Sequence, residues 1–108
     1  MSQMQIQVNT DNNIQGREQF ADKVKEAIEN KLDRFADEIT RVEVHLSDEN
    51  SLKGGEDDKR CMIEARLKGR QPISVTHHAA TLEQAIGTAA NKLKKSIEND
   101  FGRLRKKR

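Results

Sequence analysis

The chain has no tryptophan and no tyrosine, and its three phenylalanines, Phe20, Phe35 and Phe101, stand far apart. That excludes a run of aromatic side chains on which splayed bases could stack, so any contact with nucleic acid has to be with backbone and shape. Cys61 is the sole cysteine: no intrachain disulfide can form, and the alternating pattern around it suits a thiol used as a small apolar packer. A reducing cytoplasm fits this usage. No stretch approaches the roughly 18 consecutive apolar residues of a membrane span. Met1–Ser2–Gln3 leads straight into a strand-like pattern without the apolar region of a signal peptide, so the expected location is cytoplasmic, neither exported nor inserted.

The usual marks of chemistry are missing too. Ser, His and Asp all occur, yet there is no nucleophile elbow, no glycine-rich phosphate loop and no paired carboxylates set for a buried site. His77 and His78 are adjacent on an expected strand, which turns them to opposite faces, and no Cys or carboxylate stands at ligand spacing. The acids between Ser47 and Lys59 lack the alternating ligand order of a calcium loop. The expectation is therefore no catalysis, no metal, no other cofactor and no small-molecule substrate.

What the chain does have is segregated charge. Residues 1–80 carry twelve Lys or Arg against fifteen Asp or Glu, a balance of −3, while residues 81–108 carry eight against three, a balance of +5; together they make the net +2. Positive charge gathered on one part of a small domain is the footprint of a polyanion partner, because each cation that neutralises a phosphate releases a condensed counterion. From charge alone, a solvated tail that only aids solubility is an equally good reading.

The apolar residues are periodic. Met4, Ile6 and Val8 alternate with Gln3, Gln5 and Gln7, the period of a half-buried strand, and Asn9 to Asn13 supplies turn chemistry. From Arg17 to Glu38 and on to Ile39, the residues Phe20, Val24, Ala27, Ile28, Leu32, Phe35 and Ile39 recur in steps of three and four, predicting a helix of about six turns with Gly16 as its N-cap. Its far face is acidic (Asp22, Glu26, Glu29, Asp33, Asp37), Lys23 and Arg34 share one flank, and Lys31 falls within the apolar row, where a lysine lays its stem on the core and carries its ammonium to the edge.

Val42, Val44 and Leu46, then Cys61, Ile63, Ala65 and Leu67, predict strands two and three, joined by a polar Ser47–Lys59 connection. Gly69–Arg70 turns into strand four at Ile73–His77, and Thr81–Leu82–Glu83–Gln84 matches a capping box. Leu82, Ala85, Ile86, Ala89, Ala90, Leu93 and Ile97 form the buried stripe of a second helix, with Lys92 and Lys95 on one flank and Lys94 on the other. Asp100 falls on the buried side. Tight packing is expected to end near Ile97 to Phe101, giving one domain over residues 1–101 and a frayed basic tail over 102–108.

Strand, helix, three strands, helix is an α+β order. A strand–helix–strand start favours a right-handed crossover with parallel pairing of strands one and two, and the short later links favour an antiparallel meander. Each strand has one apolar face, so both helices should pack on the same face of a four-stranded mixed sheet, an arrangement like that of a double-stranded-RNA-binding domain. The groove between the helices is the expected place for RNA.

Over nearly its whole length the chain resembles the family of ribosome hibernation promoting factors and ribosome-associated translation inhibitors, also labelled sigma modulation proteins. The resemblance rests on Met4–Gln5–Ile6–Gln7–Val8–Asn9, Asn30–Lys31–Leu32–Asp33–Arg34–Phe35, Arg41–Val42–Glu43–Val44–His45–Leu46, and Ala85–Ile86 through Lys92–Leu93. It implies a short-form factor that binds the small ribosomal subunit in the channel used by messenger and transfer RNA and silences idle ribosomes in stress or stationary phase. Lys31, Arg34, Lys92 and Lys95 match the family's ribosomal RNA contacts. Geometry adds Lys23, and charge adds Arg103, Arg105 and Lys106. Where the family often continues with bases, this chain has Glu98–Asn99–Asp100. The expected partner is ribosomal RNA of the small subunit, bound by a monomer; no membrane is involved. A protein-binding adaptor that modulates a transcription (sigma) factor through the acidic helix face is the alternative.

Overall fold

The computed structural model describes residues 4–10, 17–48 and 59–106, with side chains for 4–10, 20–48 and 59–100. The elements are β1 (Gln5–Thr10), α1 (Arg17–Leu32), β2 (Ile39–Asp48), β3 (Lys59–Leu67), β4 (Ile73–Ala79) and α2 (Leu82–Lys106), with a 3-10 turn at Asp33–Phe35 after α1. The strands form one sheet in the order β1-β2-β3-β4. β1 pairs parallel to β2, and the other two pairings are antiparallel.

The period-two pattern of the strands becomes two faces. Val8, Val44, Ile63 and Val75 are partners in one row across the sheet, and Ile6, Val42, Ala65 and Ile73 in the next. Helix residues Val24, Ile28, Leu32, Ala85, Ile86, Ala89, Ala90, Leu93 and Ile97 join the strand residues in a single buried cluster. α1 lies against β1, and α2 against β3 and β4. Small side chains let α2 approach closely: Ala85 and Ala89 are fully buried, as are Cys61 and Ala65 of β3. The opposite sheet face is charged. Arg41 stands opposite Arg66 and Glu43 opposite Glu64 across β2 and β3, like-charge neighbours relieved by pairing along each strand, Arg41 to Glu43 at 3.4 Å and Arg66 to Glu64 at 3.8 Å.

α1 is shorter than the sequence pattern suggests. It ends at Leu32 rather than Glu38, and Ile39, expected to close the helical stripe, opens β2. The apolar spacing runs on past α1 because the 3-10 turn brings Phe35 to the core and Ile39 follows four residues later. β2 then opens with a bulge. Ile39 pairs with Leu67 and Arg41 with Arg66, leaving Thr40 as an extra residue whose hydroxyl donates to the Arg66 carbonyl at 3.1 Å. Ile39 and Val42 therefore both turn inward, three residues apart. The strands also reach further into the polar connection: Asp48 pairs with Lys59, their side chains 3.3 Å apart. The rest of that connection, residues 49–58, and the expected cap at Gly16 lie outside the described residues.

At the next turn the Arg70 amide donates to the Leu67 carbonyl and Gly69 has φ of +65°, the third-position geometry of a type II turn, which a side chain would strain. Thr81 caps α2 as expected, its hydroxyl accepting from the Gln84 amide at 3.1 Å. The helical backbone continues to Lys106, beyond Ile97 to Phe101, where tight packing is expected to end.

Burial pushes the Cys61 thiol up from 9.0 to about 12, with neighbouring Arg60 opposing the shift. An unfolded chain ionises the thiol near its ordinary value, so in alkali the unfolded state loses a proton that the folded state keeps, and stability falls as pH rises. Between about pH 9 and pH 11 the melting temperature of the native chain should therefore drop more steeply than that of Cys61→Ala. Thermal melts of both proteins across that range check this; parallel slopes would mean that the folded thiol ionises normally.

Candidate nucleic-acid interface

α2 carries the cations that the sequence singles out. Lys92 and Lys95 are exposed, and among the described residues neither pairs with a carboxylate; Lys92 instead donates to the backbone carbonyl of Thr76, on the edge strand β4, at 3.4 Å. On α1, Lys23 is exposed, and Lys31 is half-buried in the last turn, in keeping with a stem on the core and a head at its edge. Arg34 sits in the 3-10 turn and reaches across to α2. There it meets an acid: Arg34 Nη1 lies 3.4 Å from Glu98 Oε2. Arg103, Arg105 and Lys106 belong to the helical backbone of α2, and their side chains lie outside the described residues.

These cations do not line one continuous groove. At about 100° per residue, Lys92 and Glu98 are separated by roughly 120° around α2, with the buried stripe between them on one side. Since Glu98 meets Arg34 while Lys92 bonds to β4, the two contacts use different flanks of the helix. Lys94, four residues before Glu98, shares the flank turned toward Arg34 and is half-buried. Its i, i+4 relation to Glu98 is legible in the sequence; which flank meets α1 is not.

The two acids that break the basic run of α2 both have partners on other elements. Glu98 meets Arg34, and Asp100 accepts from Arg70 Nη1 at 2.6 Å, a half-buried, charge-assisted bond tying the β3–β4 turn to the helix. Asp100 does lie on the sheet side of the helix, as its position in the stripe suggests. Among the described residues no group of three or more His, Cys, Asp or Glu could hold a metal ion, and no helix is long and apolar enough to cross a membrane.

Residues 6–105 match the family model described as Sigma 54 modulation protein / S30EA ribosomal protein. The chain belongs to that family. No curated protein matches. Among solved structures, the family's fold recurs in the Thermus thermophilus Protein Y N-terminal domain, 26% identical, with a TM-score of 0.69 over 89% of this chain and 98% of that one. It also recurs in a ribosomal subunit interface protein from Coxiella burnetii, 20% identical, with a TM-score of 0.67 over 92% of this chain and 99% of that one.

The geometry separates structural charges from available ones. Asp100→Asn should lower stability by about 1–2 kcal/mol, because a charge-assisted bond that is only partly screened is lost. Lys95→Glu should leave it within about 0.5 kcal/mol. Urea titration of the two variants tests the distinction.

Proposed function

We propose that this chain binds the small ribosomal subunit through ribosomal RNA phosphates and sterically blocks the messenger and transfer RNA sites, silencing translation in stress or stationary phase. What supports this most is the pair Lys92 and Lys95, solvent-facing on α2 and without a described carboxylate partner, in a chain whose family model covers residues 6–105. Lys23, Lys31, Arg34 and the basic end of α2 at Arg103, Arg105 and Lys106 add further cations. No chemistry is required of such a factor. A folded wedge in an RNA-lined channel excludes other occupants by volume, holds on by several weak phosphate contacts, and leaves when they are lost. It acts as a monomer, in the cytoplasm, without cofactor.

A phosphate-held complex is sensitive to salt. Co-sedimentation with small subunits across a salt series should give a log–log slope on the order of −0.7 to −0.9 for each phosphate neutralised. A shallow slope with binding retained would favour an adaptor that contacts protein through the acidic face of α1.

Charge reversal tests the residues. Lys92→Glu and Lys95→Glu should each weaken small-subunit binding severalfold and make the slope less steep by about one phosphate contact, with a native circular dichroism spectrum. Native spectra with unchanged sedimentation would remove α2 from the interface.

A further inference from the structure

Among the candidate cations whose side chains are described, Arg34 is the one that meets a carboxylate. Its Cζ lies 5.3 Å from the centroid of the Phe35 ring, and Phe35 is part of the buried core, so the guanidinium rests on an immobile platform. Its Nη1 faces Glu98 Oε2 at 3.4 Å, while 68% of the Arg34 side chain stays open to solvent. A guanidinium has five donors in a planar fork that fits a carboxylate or a phosphate in the same way. The partner it has in the free protein therefore has the acceptor geometry of the partner it would take in a complex.

We propose that Glu98 is an internal competitor for phosphate at Arg34, a specificity-determining residue that lowers affinity for RNA at this end of the helix pair. The inference rests on the ribosomal RNA reading above. In the free protein the carboxylate and the ring together park the guanidinium. An arriving phosphate has to displace that carboxylate or share the guanidinium with it, and in either case meets a negative charge beside the contact. An exposed ion pair is weak, so the exchange is easy and reversible. The consequence is selectivity: Arg34 contributes little to loose association with any polyanion, and contributes where a phosphate is positioned well enough to replace Glu98. It also accounts for an acid in the basic run of α2 that, unlike Asp100, is not needed to anchor a turn.

The test measures co-sedimentation with small ribosomal subunits at fixed low salt for the native chain and for Glu98→Gln, Arg34→Gln, the double variant, and Glu26→Gln. The last removes the same charge from the exposed outer face of α1 and measures the effect of net charge alone. Glu98→Gln should bind roughly three- to tenfold tighter than the native chain, Glu26→Gln within about twofold of it. Arg34→Gln should cost more in the Glu98→Gln background than in the native one, since the arginine no longer divides its donors. Equal strengthening by Glu98→Gln and Glu26→Gln, or an equal cost of Arg34→Gln in both backgrounds, would overturn the proposal. Lys92→Glu keeps the two ideas apart. If it weakens binding and Glu98→Gln does not tighten it, only the competitor is lost; if neither it nor Arg34→Gln weakens binding, the RNA reading fails as well.

Discussion

The structure depends on one packing constraint: two apolar helix stripes have to be buried on a sheet that has only one apolar face. Rows such as Val8–Val44–Ile63–Val75 turn inward together because their register aligns them, and a one-residue slip would turn each strand's apolar set to water. Both helices must therefore share a side. α2 meets that demand over β3 and β4 with alanines where the fit is close and with Leu93 and Ile97 where there is depth. Once its stripe is committed to the sheet, Lys95 is left to solvent and Lys92, also exposed, reaches the edge strand β4.

Charge is then disposed around the core according to what each group can reach. On the far sheet face, in-register Arg41 and Arg66 and in-register Glu43 and Glu64 would repel, and pairing along each strand offsets this. Arg41 also donates to Gln7 of β1, so all three of those strands take part. On the helix side, Asp100 is used up by Arg70 and Glu98 by Arg34. These two acids of α2 thus act inside the domain, while Lys92 and Lys95 are exposed. A family whose members are described as ribosomal is consistent with that division.

Much of the architecture was legible residue by residue, since the strands alternate cleanly and Thr81 announces the second helix. The over-long first helix has a local cause. A 3-10 turn at Asp33–Phe35 continued the spacing of α1 through buried Phe35 to Ile39, so a local periodicity carried across a change of structure. The helical backbone of α2 runs to Lys106, beyond the residues where tight packing is expected to end. In the candidate site, the cations themselves were identifiable from type and spacing. Which flank of α2 turns toward α1 was not.

The sequence by itself determined the element order, the face each element buries, and the concentration of positive charge toward the C-terminus, because periodicity and composition are local properties. Only the tertiary structure decided which charges meet. Arg34 and Glu98 are 64 residues apart, and Arg70 and Asp100 are 30 apart. Contacts of that range exist only once the helices are laid on the sheet at a particular depth and register, and it is they that separate the cations engaged within the fold from those turned to solvent.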